Sequence, residues 1–461
     1  MFTRALKSAG RKILKLTVSR KTASFLRGSP SVIRKPSAKI KSPLFQFASR
    51  NELARTTLLH EIEYVIYYGE GSALNHFHMW NPVFTEHLAG KFVSIFRWSA
   101  SWWPVCNEPN VYAISSMNQI EPLFDRMPNL KAVFYPANNG VNLQAIRCTD
   151  YSHIFLGHGD SNKASSASKI FRLYDEVWVA GQAHIDRFKT ITGDYSSIKF
   201  KIIGQPWMRE WLNERPNHSL MERDSWAYVP TWKGYYQKTN YSSLEMADEI
   251  FETIRQVLDA KFKGYVKLHP WTKGGGRKSI ENLIARENAL MPPAEQAMPE
   301  DHGAHAEDLE AAFGNLEEDF DRDEGSNLEE QNSRIILESN SAQLRDVLSK
   351  PLRFIVGDIS GAVTECLYIN VPIFLYRPLP PVELSDAFEK QNEFCYLFST
   401  TEELNALLTR VIVENDDWLA EKREAALAYF VDIEGTKNGR VFEELEKLPL
   451  IKERDESVLA Q

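Results

Sequence analysis

Three short segments hold side chains whose types and spacing can do chemistry. The first is Phe155-Leu156-Gly157-His158-Gly159-Asp160-Ser161-Asn162-Lys163. An apolar run passes there into a turn in which two glycines flank a histidine. Glycine frees the backbone and lets a substrate come close to the chain. A histidine at the carboxyl end of a strand sits where open α/β sheets bind ligands. Its imidazole can take a proton from an attacking hydroxyl near neutral pH. In that scheme His158 is a general base, Asp160 orients it and Lys163 holds a phosphate. The competing account is a loop histidine that only bonds to backbone.

The second segment is Lys267-Leu268-His269-Pro270. Pro270 stops the strand and fixes the turn. His269 then sits at a sheet edge, where its ring can donate a hydrogen bond to a phosphate oxygen as charge builds. Lys273-Gly274-Gly275-Gly276-Arg277-Lys278 follows as a candidate phosphate-gripping loop, without the spacing of a Walker A motif. The third segment runs from Phe354 through Asp358, Ser360 and Gly361 to Glu365. Ser360 suits a helix N-cap. Backbone N–H groups at Gly361, Ala362 and Val363, with the helix dipole, make an anion site that fits a pyrophosphate. Glu365, one turn in, can accept hydrogen bonds from two ribose hydroxyls. Asp358 adds a group for orienting or for phosphate. An ordinary capped helix with a surface glutamate is the alternative.

The elements that must position these residues are legible as an alternation. Strand candidates fall at 64–68, 92–96, 111–114, 132–135, 154–156, 176–179 and 199–203, then at 226–229, 265–268, 354–356 and 373–376. Helix-like stretches, such as 243–260 and 361–368, lie between them. That order predicts parallel sheets covered by helices, in two halves joined near 205–217. The expected domains are residues 55–205 and 218–414, with a helical stretch at 415–447 long enough to cross back and brace the first half. Residues 295–330 hold fourteen acids and one arginine and read as an acidic, disordered insertion.

Charge is distributed unevenly. The chain of 461 residues has 54 Lys/Arg and 62 Asp/Glu. Residues 1–50 contain thirteen of the basic residues and no acid, so the remainder holds 41 basic against 62 acidic. Phe2, Leu6, Ala9, Ile13 and Leu16 fall on one helical face, opposite Arg4, Lys7, Arg11 and Lys15. Such an arm suits an anionic membrane surface, with 28–43 as a tether. A solubilising tail or an organelle transit peptide has a similar composition. No run of eighteen apolar residues is present to span a bilayer. The four cysteines are scattered and read as free thiols; no cluster suggests a zinc site, and no metal is expected.

Taken in order, the motifs resemble those of the CDP-glycerol glycerophosphotransferases, which build teichoic-acid and capsule polymers in bacteria. The matching residues are His158, Gly159 and Lys163; Pro230, Thr231 and Trp232; His269 and Pro270; and Asp358, Ser360 and Glu365 leading to 371–376. The likeness spans roughly residues 130–430, and 151–188 looks like a capsule-type branch. It implies a GT-B-like α/β fold, two Rossmann-like domains facing a cleft, with an N-terminal acceptor domain and a C-terminal CDP-donor domain. It implies that His158 and His269 flank the reacting phosphate and that Thr231, Ser360, Gly361 and Glu365 serve the donor. The donor would be CDP-glycerol or a related CDP-polyol, with CMP released and no cofactor. The acceptor would be a polymer or lipid-linked hydroxyl, and the protein would be peripheral on the inner face of the cell membrane. No nucleic-acid partner is expected. Two features depart from the family: Gly361 stands where many members carry a second serine, and the acidic insertion is additional. The rival expectations are a GT-B glycosyltransferase or sugar-nucleotide epimerase using UDP-sugars, and a non-enzymatic membrane-surface scaffold.

Overall fold

A computed structural model describes residues 58–69, 73–97, 103–160, 167–189, 195–219, 222–234, 240–258, 262–290, 333–339, 342–379 and 393–451. These fall within one unit, Phe47–Gln461. The basic arm, the acidic insertion 295–330 and Lys163 lie outside them.

Two parallel sheets organise the chain. The first has seven strands: β1 (Tyr64–Tyr68), β2 (Phe92–Phe96), β3 (Val111–Ala113), β4 (Ala132–Tyr135), β5 (Ser152–Phe155), β6 (Glu176–Val179) and β7 (Lys199–Ile202). Their spatial order is β3-β2-β1-β4-β5-β6-β7. The second has six: β8 (Ser225–Val229), β9 (Lys263–Val266), β10 (Ile335–Leu337), β11 (Leu352–Asp358), β12 (Ile373–Tyr376) and β13 (Tyr396–Phe398), ordered β10-β9-β8-β11-β12-β13. Central strands are apolar on both faces because helices cover both, and β1 (YVIYY) is buried at every position. Alternate residues serve different cores. Val65 and Tyr67 join one cluster, whereas Tyr64, Ile66 and Tyr68 join another that continues through Trp207 and Tyr368 to Ile355 and Ile373 of the second sheet. The two sheets therefore share apolar packing.

In both sheets the strand order reverses beside the first strand, between β1 and β4 and between β8 and β11. Crevices for ligands open at the carboxyl ends of strands at such points. The helices that matter below are α1 (Ala73–Leu88), α2 (Gln182–Lys189), α3 (Gly275–Leu290) and α4 (Gly361–Cys366). Three further helices end the described chain: α5 (Ala420–Phe430), α6 (Ile433–Asn438) and α7 (Arg440–Glu446). They return to the first sheet. The Asp432 N–H donates to Ala180 O at 2.8 Å, Tyr64 Oη donates to Leu445 O at 3.2 Å, and Lys201 pairs with Glu444 at 2.6 Å.

The structure refines the sequence expectations in three places. The single stretch 415–447 is broken: Asp432 caps α6 by accepting from Gly435 N, and Gly439, at φ 70°, separates α6 from α7. The stretch 243–260 starts as a 3-10 turn, Leu244–Met246, before its α-helix Ala247–Val257. The short edge strands β10 and β13, of three residues each, carry too little apolar pattern to stand out. No helix among the described residues is long and apolar enough to cross a membrane.

Candidate active site

The Gly157–Asp160 turn leaves β5 with two left-handed glycines, φ 71° at Gly157 and 116° at Gly159. A side chain would be strained at either position. The turn presents His158 exposed at the strand end. Its Nδ1 lies 2.8 Å from the Pro136 carbonyl oxygen. A carbonyl can only accept, so Nδ1 carries the hydrogen and Nε2 carries the lone pair in the neutral ring. The backbone bond of the competing account is thus present, and it leaves the ring in the form a base needs. Two residues of α1, one turn apart, hold the arrangement. His76 stacks on His158 with ring centroids 4.1 Å apart, and the Trp80 indole N–H donates to Gly157 O at 2.8 Å.

Asp160 requires a correction. It was expected to orient His158 or serve phosphate. Its carboxylate is instead buried and held by Arg187 of α2 in a two-pronged pair, at 2.5 and 3.0 Å. The rigid guanidinium fork matches a carboxylate. Asp160 reaches the second domain through its backbone: its carbonyl accepts from Thr364 Oγ1 of α4 at 3.1 Å.

The loops that follow β8 are tied to the end of β11 by Asp358, which is fully buried. Its Oδ2 accepts from the backbone N–H of Thr231 at 2.7 Å and of Ser243 at 3.1 Å. Asp358 thus orients the loop after β8. Thr231 itself is buried, and its carbonyl accepts from Ser242 Oγ at 2.7 Å. Ser360 occupies the N-cap position of α4 with extended backbone, yet its hydroxyl makes no cap bond. Gly361 lies against Asp160; a Cβ there would meet the Asp160 carbonyl oxygen at 3.2 Å. That contact is tight for a side chain at the position where many members of the resembled family carry a serine.

Glu365 lies between the two domains. A Cβ on Gly159 would be 3.9 Å from Glu365 Oε1. Burial pushes the carboxyl up to about 7, against the Trp207 indole N–H and the Arg345 guanidinium, which act in the opposite direction. The Arg345 guanidinium also donates to Trp207 O at 2.9 Å.

His269 has the opposite tautomer to His158. The Trp271 backbone N–H donates to its Nδ1 at 3.1 Å. That nitrogen must accept, so the hydrogen of the neutral ring is on Nε2. The Trp232 ring is 6.4 Å from the His269 ring and 5.3 Å from the Trp271 ring.

Of the expected residues, the structure brings the His158 turn against Gly361 and Glu365 of the second domain, with Thr364 between them bonded to Asp160. Thr231, Asp358 and Ser360 line adjoining strand ends, with His269 one strand further on. Sequence reasoning passed over His76, Arg187, Trp207, Arg345 and Trp271. For His76 a signal existed, since His76 and Trp80 fall one helical turn apart. Arg187 could not be paired with Asp160 from spacing alone. Among the described residues no group of three His, Cys, Asp or Glu gathers as metal ligands.

No protein-family model matches the chain, and no curated protein matches it in sequence. Solved structures do match in shape. The wall teichoic acid polymerase TagF, solved with CDPG, gives a TM-score of 0.50 at 11% identity, covering 89% of this chain and 94% of that one. A putative UDP-N-acetylglucosamine 2-epimerase from Listeria monocytogenes gives 0.50 at 11% identity, covering 86% and 99%. At that identity the likeness concerns architecture, and with the two parallel sheets and the returning C-terminal helices it establishes that the chain has a GT-B-like fold.

Proposed function

We propose that the protein transfers a polyol-phosphate, such as glycerol-phosphate, from a CDP-activated donor to a hydroxyl of a growing surface polymer. One observation supports this most: two histidines at sheet edges of different domains are held by backbone in complementary tautomers. His158 Nε2 takes the proton of the acceptor hydroxyl as its oxygen attacks the donor phosphorus. His269 Nε2–H donates to a non-bridging oxygen of the same phosphate as charge builds. The bond from that phosphorus to the CMP oxygen breaks, and CMP leaves with the electron pair. Orientation and charge stabilisation do most of the work in such a displacement.

The donor nucleotide lies at the β8/β11 switch point, with Glu365 accepting from the ribose hydroxyls and the Ser360-Gly361 turn beside the pyrophosphate. Sugar-nucleotide epimerases share this architecture, so a UDP-sugar is the second reading. Purified protein is incubated with CDP-glycerol, CDP-ribitol or UDP-N-acetylglucosamine and a short hydroxyl acceptor. CMP release coupled to a new phosphodiester supports the proposal. Turnover of the UDP-sugar alone overturns it.

A further inference from the structure

The tryptophan pair beside His269 has no part in the transfer just described. Trp232 follows β8, and Trp271 follows β9. Their rings are 5.3 Å apart and inclined at 36°. Trp271 is 41% exposed, high for so large an apolar ring beside a site edge. Neither ring sits on a loose loop. The Trp271 N–H holds His269 Nδ1, the Thr272 N–H donates to His269 O at 2.8 Å, and the residue before Trp232 is fixed by Asp358. The indoles therefore keep a set position relative to His269 Nε2.

The surroundings are cationic. Lys273 and Lys278 are exposed on the turn that opens α3; Arg277, next to Lys278, is paired with Glu281, and Lys233, next to Trp232, with Glu245. Thr272, 6% exposed, has a buried hydroxyl with no hydrogen-bond partner among the described residues, and its methyl faces the first turn of α3. Strand order then separates this place from the nucleoside. Glu365 follows β11, whereas Trp271 follows β9, with β8 between them. A ring stacked on the exposed face of Trp271 therefore lies two strands from Glu365, with Trp232, after β8, between them. The transferred polyol has no ring to stack there.

We propose that Trp232 and Trp271 form a stacking platform for a pyranose ring of an anionic acceptor, with the adjacent lysines taking its phosphate. This rests on the transfer reading and gives its acceptor a chemical class: a phosphorylated glycan rather than a bare polyol-phosphate chain. Aromatic faces hold apolar ring surfaces, and fixed cations hold phosphate.

The test is binding to the full-length protein by calorimetry with four probes: glucose 6-phosphate, methyl glucoside, glycerol 1-phosphate and CMP. Glucose 6-phosphate should bind more tightly than either the ring or the phosphate alone. Trp271→Ala should weaken glucose 6-phosphate about tenfold and leave CMP unchanged, and Trp271→Phe should keep most of the affinity. Equal binding of glucose 6-phosphate by wild type and Trp271→Ala overturns the platform. So does an equal loss for glycerol 1-phosphate, or a loss confined to CMP, which would make the pair a nucleobase site. Failure of CMP to bind the wild type counts against the donor reading instead, and leaves the sugar-phosphate comparison standing on its own.

Discussion

At His158 and His269 backbone groups set which ring nitrogen carries the hydrogen, so neither ring needs a neighbouring acid to choose its tautomer. Asp160 is thereby released for Arg187. Glu365 is the other residue whose surroundings decide its chemistry. Its carboxyl is lifted from an ordinary 4.5 to about 7 by burial. A raised carboxyl binds its proton more tightly in the folded chain, so the stability it contributes is intact below pH 4.5 and is lost as pH rises through 7. The carboxyl is only partly buried and in part screened by solvent, so the loss by pH 8 is on the order of 1–3 kcal/mol. Glu365→Gln removes the penalty. Denaturant unfolding at pH 5, 6, 7 and 8 should show the variant gaining on the wild type as pH rises, while its CMP affinity falls behind the wild type's as pH rises through 7, where the carboxylate forms. A stability difference that stays constant across that range contradicts the burial account.

At the scale of elements, the pair between Asp160 and Arg187 carries the turn that holds His158. Both side chains are buried, so removing one partner leaves a charge without compensation. Arg187→Met should destabilise the protein by about 3–5 kcal/mol, and adding Asp160→Asn should recover much of that. Urea unfolding of the two variants checks it; an equally unstable double variant means the loss comes from packing alone. Legibility in the sequence followed local pattern. The central strands were readable because burial on both faces makes runs such as YVIYY and FVSIF. The turns were readable because Gly157, Gly159 and Pro270 punctuate them. What depended on distant pairing was not readable. Asp160 and Arg187 lie 27 residues apart, and Gly361 touches Asp160 across two domains. Nothing local predicts either contact.

At the scale of the whole molecule, the C-terminal helices close onto the first sheet where Gly204 permits it. A Cβ there would come within 2.2 Å of Thr436 Oγ1 and 2.6 Å of Asp432 O, and Gly204 also holds φ 72°. This approach lets a chain with two sheets end on the domain where it began. The basic arm lies outside the described residues, and the expectation for it rests on sequence alone. Thirteen cations without an acid, behind an apolar stripe, should bind anionic lipid, each cation near the surface contributing about 1 kcal/mol before screening. Deleting residues 1–43 should release the protein from anionic liposomes in sedimentation at low salt, with transfer to short soluble acceptors retained. Unchanged co-sedimentation would show that the arm is not the anchor.

The proposed transfer belongs to the whole molecule, because the two histidines it invokes come from different sheets. The direct test is product mass under single turnover with CDP-glycerol and a short acceptor, in the wild type and in His158→Asn. Asparagine can still donate to the Pro136 carbonyl as Nδ1 does, so the turn is kept while the base is lost. The account predicts one added glycerol-phosphate and one CMP per turnover in the wild type. It predicts a rate lower by about 10²–10⁴ in His158→Asn, with CMP affinity unchanged. A variant that forms the phosphodiester at the wild-type rate would contradict the account.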